Sequence, residues 1–190
     1  QRKGDQIKID WGYFYLSTDE TGSSQSVGSA MAMRKAFATD GKLDGRVAAA
    51  GNANIAVARS LGRSVKAEGM VMAGFDDIYS IQYFKTNLRP YWNRRGDNSI
   101  EQQFALAARD YAALKKKCGE FDRKLMESAT RKGGRKYAEL CALAYRQAIA
   151  AHKLVEAPNG DLMLFSKENA SNGSIGTVDI TYPSAPLLLY

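Results

Sequence analysis

Five residues near the C-terminal end of the chain have side chains suited to chemistry: Lys167, Glu168, Asn169, Asp179 and Tyr182. They stand in a stretch punctuated by Gly173 and Gly176, soon after a long segment with an apolar stripe. Polar loops held by a rigid scaffold are where binding and catalytic groups concentrate. Glu168 and Asp179 form a candidate catalytic pair. One carboxylate could activate a water while the other, kept protonated by its surroundings, donates a proton. Lys167, Asn169 and Tyr182 are candidate substrate-binding groups, and Lys167 or Asn169 could also stabilise an oxyanion. The run Asn172-Gly-Ser-Ile-Gly176 lets backbone approach a ligand closely. The plainer alternative is an exposed, solvated Lys167/Glu168 pair, with Asp179 capping a helix or turn.

Other chemistries find little support. The chain has no GxSxG elbow for a nucleophilic serine. Its two cysteines, Cys118 and Cys141, fit no CxxC or metal-ligand spacing, and Cys141 sits in a helical motif where it packs as a small apolar side chain. There is one histidine and no HExxH pattern, which argues against zinc, since zinc favours clustered His and Cys. No cofactor is expected. His152 falls on a helical stripe; a packed, hydrogen-bonded imidazole near a helix C-terminus is favoured over a general base. The two Asp–Gly pairs of residues 39–45 read as turns rather than a calcium loop, because the closing Glu is missing.

An apolar content of 45% with 25% charged residues suits a globular chain, and no apolar run reaches the length of a membrane span. The net charge of +7 is spread out rather than gathered on one face, as a nucleic-acid surface would require. Its local knots, Lys115-Lys116-Lys117 and Arg131-Lys-Gly-Gly-Arg-Lys136, read as solvated helix ends. Neither a nucleic-acid partner nor a membrane span is expected. The chain starts without Met and ends in the apolar run Pro186-Leu-Leu-Leu-Tyr190, so it reads as a piece of a larger protein whose tail associates with other surfaces or stays mobile.

The elements that must position the loop change character near residue 98. Residues 7–16, rich in β-branched and aromatic residues, and 79–84, an aromatic period-two run, read as strands, as do 54–61 and 69–75. Residues 17–29 read as a loop and 30–37 as a short helix. Ser99 followed by Gln102 is a capping-box pattern. It opens a helix carrying Phe104, Ala107, Ala108, Tyr111 and Leu114 at helical spacing. A second helix carries Phe121, Leu125 and Ser128 and stops at Gly133-Gly134. A third runs over residues 135–155 with Tyr137, Cys141, Tyr145, Ala148, Ile149 and His152 on its stripe. Pro158-Asn159-Gly160 then turns the chain into a short strand at residues 161–165. The division is a β-rich segment, residues 1–97, and a helical segment, residues 98–190.

The motifs Lys136-Tyr-Ala-Glu-Leu-Cys-Ala-Leu-Ala-Tyr-Arg146, Leu164-Phe-Ser-Lys-Glu-Asn169 and Ser171-Asn-Gly-Ser-Ile-Gly-Thr-Val-Asp-Ile-Thr-Tyr-Pro-Ser-Ala-Pro186 resemble the glutaminase A family. Gly4-Asp-Gln-Ile-Lys-Ile-Asp-Trp-Gly-Tyr13, Asp76-Asp-Ile-Tyr-Ser-Ile-Gln-Tyr-Phe84 and Leu88-Arg-Pro-Tyr-Trp92 extend the resemblance over nearly the whole chain. It implies an α+β fold: strands of a larger β-sandwich, then helices opening an incomplete α/α six-hairpin toroid. It also implies a secreted or periplasmic enzyme that hydrolyses L-glutamine to glutamate and ammonia, for which carboxylate-assisted attack of water is the mechanism most compatible with the residues present. Six-hairpin toroids also resemble glycosidases that use two carboxylates. A carbohydrate-active enzyme using Trp11, Tyr91 and Trp92 is therefore the alternative reading, and a non-catalytic binding module the third. The partner is then a small molecule, glutamine or a glycan. The piece alone is expected to be inactive and to self-associate, because most walls of the toroid cleft would be missing.

Overall fold

The computed structural model describes residues 12–18, 22–45, 47, 54–63, 65–168 and 173–190. The chain is a mixture of helix and strand, and contacts divide it into two compact units: Tyr13–Asp76, and Asp77–Tyr190 together with Gly12.

In the first unit, β1 (Tyr13–Thr18) pairs antiparallel with β4 (Val71–Asp76), and β2 (Ser24–Gly28) pairs antiparallel with β3 (Asn54–Ala58). The expected loop at residues 17–29 is thus partly strand. Ser17, Thr18, Ser24 and Ser26 lie on narrow ribbons where polar side chains can alternate with the ladder. Helix α1 (Ala30–Asp40) runs three residues past its expected end, until Gly41 at φ 65° turns the chain and donates its N–H to Phe37 O. This is the left-handed stop that glycine adopts without strain. Gly41 and Gly45, the glycines of the two Asp–Gly pairs, both take positive φ (65° and 72°), and Asp44 Oδ1 accepts the buried Ser26 hydroxyl at 2.7 Å.

The second unit opens with a tight hairpin, β5 (Ile81–Tyr83) and β6 (Thr86–Leu88). Its two linking residues, Phe84 and Lys85, both have positive φ (43° and 69°). That is the geometry of a type I′ turn, normally built from Asn and Gly. A single helical turn, Tyr91–Asn93, follows. Helix α2 (Ile100–Ala150) then begins at the capping box read from the sequence: Gln102 N–H donates to Ser99 Oγ at 3.3 Å, and Ser99 N–H to Gln102 Oε1 at 2.8 Å.

Three helices were expected over this stretch. Instead the helix continues unbroken through residues 115–120 and departs from helical geometry only at Gly134 (φ 80°, ψ 177°), a region open essentially to glycine alone. The triple lysine at residues 115–117 therefore lies within the helix rather than at its end. On one straight helix Phe121 and Tyr145 would be about 36 Å apart. Their ring centroids are 5.0 Å apart, so the halves fold back on each other as a helical hairpin. Leu125, Ala129 and Ala138 are buried along it.

The second half ends at Ala150, not near Val155. His152–Glu156 is strand β7, paired antiparallel with β8 (Leu162–Ser166). His152 therefore leaves the helical stripe. It opens β7, and its Nδ1 donates back to Ala148 O in the last helical turn. The physical reason lies in the Pro158-Asn159-Gly160 turn. Gly160 adopts φ 90°, the Asn159 side-chain amide donates to Asp161 Oδ2 and accepts the Asp161 N–H, and the ladder they close competes with further helix.

Across these strands lies the core of the unit. Ile81, Leu88 and Val155 are buried together, with Tyr83, Met163, Phe165 and Ile175 packed against them. After the loop come two short helices, α3 (Val178–Ser184) and α4 (Pro186–Leu189). The tail is not left unpacked throughout. Tyr190 meets Phe121 at 5.7 Å and Tyr145 at 6.3 Å, edge to face, while Leu188 and Leu189 are exposed. Among the described residues the strands form four two-stranded ribbons, and no helix is long and apolar enough to cross a membrane.

Candidate functional site

The polar loop grows out of the β7–β8 hairpin. Beyond the last paired residues, Lys167 N–H donates to Ala151 O at 2.9 Å, so the ladder continues one step past β8. The chain then folds back. Lys167 bridges Ile175, Glu168 N–H donates to Ser174 O at 2.9 Å, and Gly176 N–H donates to Ser166 O at 2.9 Å. Thr177 starts α3, which returns alongside β8, and the hydroxyls of Ser166 and Thr181 meet at 3.0 Å. The ends of the loop are thus pinned together by backbone bonds.

The five sequence-predicted residues divide sharply. Lys167 is buried, at 4% exposure, and its Nζ donates to Ser80 O at 2.8 Å. The exposed, solvated reading of Lys167 is therefore overturned: its partner lies 87 residues away in sequence. Glu168 is half-buried at the exit of β8. Asp179 lies in the first turn of α3 and is exposed, where a carboxylate meets the positive end of the helix dipole. Tyr182, three residues on, is 80% exposed. Spacing of three sets Asp179 and Tyr182 on the same face of α3. Asn169 lies outside the described residues, as does Trp11.

Around Lys167 the structure reveals groups that the sequence did not single out. Asp77 is buried. It accepts the Ser80 hydroxyl on Oδ2 at 2.8 Å, and the same oxygen pairs with Lys153 Nζ at 3.1 Å. Burial pushes the Lys167 ammonium below the ordinary lysine range; the neighbouring Lys153 charge adds to this, and Asp77 opposes it. The turn carrying Asp77 is strained. Ile78 has φ 52°, and Tyr79 N–H donates to Asp77 O across it. A β-branched residue in the left-handed region costs about 1–3 kcal/mol and persists where its surroundings fix it. Here Asp77 and Ser80 are held on either side. Nothing in one sequence marks these residues, since a carboxylate and a lysine so far apart show no spacing pattern.

A second polar link ties the 91–94 turn to β7. Arg94 Nε pairs with Glu156 Oε2 at 3.0 Å, and the Arg94 guanidinium lies 4.2 Å from the Tyr91 ring centroid. One face of Tyr91 is thereby occupied by a cation.

The geometry is a polar loop rooted in a buried ion cluster, followed by carboxylates with access to water. Residues 1–128 match the family model described as Domain of unknown function (DUF5127), and residues 134–190 match the model described as Glutaminase A six helical-hairpin domain. The chain belongs to the DUF5127 family. The passage from one match to the other falls between residues 128 and 134, beside the Gly134 break in α2. This DUF5127 chain is also 30% identical over 195 residues to Glutaminase A of Aspergillus oryzae (strain ATCC 42149 / RIB 40), an alignment covering 96% of the chain. It spans 28% of the length of that curated relative. The resemblance to the glutaminase A family read from the motifs therefore stands. No solved structure matches the chain.

Proposed function

We propose that this chain is part of a glutaminase-A-like enzyme that hydrolyses the side-chain amide of L-glutamine to glutamate and ammonia. The observation that carries the reading is the 30% identity to a protein named Glutaminase A over 96% of the chain. In the proposed chemistry a water attacks the amide carbon, the C–N bond breaks, and the departing nitrogen takes up a proton as ammonia. Glu168 and Asp179 are the proposed carboxylates for the two proton transfers. Tyr182, on the same face of α3 as Asp179, and Asn169, next to Glu168 in sequence, are the proposed substrate contacts. The six-hairpin toroid, the β-sandwich and a secreted or periplasmic location belong to the same proposal. The test is to incubate the intact protein carrying this sequence with L-glutamine and assay ammonia, with a glycan panel assayed in parallel for released sugar. Ammonia release is the expected result. Sugar release without ammonia, or no turnover of either substrate class, contradicts the proposal.

A further inference from the structure

Lys153 and Lys167 come from the β7–β8 hairpin, whereas Asp77 and Ser80 come from the segment leading into β5. Lys167, Ser80 and Asp77 are buried, at 4%, 1% and 4% exposure. Burying a charge is costly unless partners compensate it. Here the partners form a chain: Lys167 Nζ to Ser80 O, Ser80 Oγ to Asp77 Oδ2, and Lys153 Nζ to the same Asp77 oxygen. A lysine that gripped substrate would keep its head where substrate can reach it. The Lys167 head instead lies on a backbone carbonyl inside the protein. Its own backbone is held as well, by Ala151 O, while the next residue is held by Ser174 O. The side chain and main chain together fix the point from which Glu168 leaves β8.

We propose that the buried Asp77, Ser80 and Lys167, with the half-buried Lys153, form a polar lock that sets the backbone carrying Glu168. On this reading Lys167 and Asp77 are positioning residues and not substrate contacts. The catalytic consequence rests on Glu168 acting on glutamine, as proposed above; the geometric part does not.

The experiment compares the intact wild-type protein with Lys167→Met, Asp77→Asn and Lys153→Arg by amide hydrogen exchange and by steady-state ammonia release from L-glutamine. In Lys167→Met and Asp77→Asn the amides of Lys167, Glu168 and Gly176 should exchange roughly tenfold faster, with the amides of α2 unchanged. Their kcat should fall roughly 10- to 100-fold, as expected when a reacting group is misplaced, with KM nearly kept. Lys153→Arg, which retains a cation on Asp77, should stay close to wild type. Should Lys167→Met fail to fold, Asp77→Asn and Lys153→Arg decide. Unchanged exchange at the three amides overturns the lock, as does acceleration spread evenly over α2. A raised KM at unchanged kcat makes Lys167 a substrate contact and equally overturns it. If the wild type releases no ammonia, the proposed function fails, and the exchange rates alone still decide the lock.

Discussion

Two parts of the same unit hold themselves together in opposite ways. Around Ile81 and Lys167, residues distant in sequence close over one another, and both apolar and polar groups are buried. Along the α2 hairpin the order is local. A capping box starts it and a glycine breaks it, yet Leu140, Leu143, Tyr137 and Ile149 remain 62%, 51%, 48% and 50% exposed. Along α2 burial is confined to one seam, Leu125, Ala129 and Ala138, whereas at Lys167 and Glu168 residues far apart in sequence set the geometry.

Truncation in the two places should separate them most strongly. Ile81, at 1% exposure, should lose about 2–5 kcal/mol on Ile81→Ala, the range for emptying a closed core site. Leu140→Ala, on the open face of α2, should change stability by no more than about 0.5 kcal/mol. Urea denaturation of the two variants measures both, and similar losses would erase the contrast. Within α2 the sensitive point is the break. Gly134→Ala forces a Cβ into backbone that is essentially glycine-only and should cost about 1–3 kcal/mol, seen in the same denaturation midpoints.

The contrast also explains what could be read in advance. The Ser99/Gln102 cap, the Gly133-Gly134 stop and the Pro158-Asn159-Gly160 turn are signals within a few residues, and each appears where it was expected. The helical spacing of Ala148, Ile149 and His152 extends the sequence pattern to residue 155, past the helix end at Ala150. Only the return strand β8 shows that His152–Glu156 pairs instead of coiling. The inward turn of Lys167 was out of reach, because its acceptor is set by folding across 87 residues. The chemical types in the loop were legible; the burial of Lys167 against the exposure of Asp179 and Tyr182 was not.

Smaller effects sharpen the picture of the closed cluster. Replacing Phe84 and Lys85, both at positive φ, by Asn and Gly should relieve turn strain and stabilise the protein by about 1 kcal/mol. A shift of the thermal midpoint upward reports it; no shift would mean that the Phe84 ring against Tyr83, at 4.6 Å, is worth as much as the strain. The smallest effect is that of pH. Lys167 titrates below its unfolded value because of burial. Below the folded value both states hold the proton, and the burial cost is present in full. Between the folded value and the ordinary lysine value the unfolded state holds more protons, so stability rises with pH. Lys167→Met should flatten that alkaline rise in a series of urea titrations, and an unaltered slope would mean that the ammonium is not penalised.

The claim that Glu168 and Asp179 carry the chemistry while the buried cluster around Lys167 carries the geometry is tested most directly by ammonia release from L-glutamine in a Glu168→Gln/Asp179→Asn double variant of the intact protein. The account predicts an active wild type and a folded double variant whose ammonia release has fallen to background. Turnover in the double variant equal to wild type would contradict it.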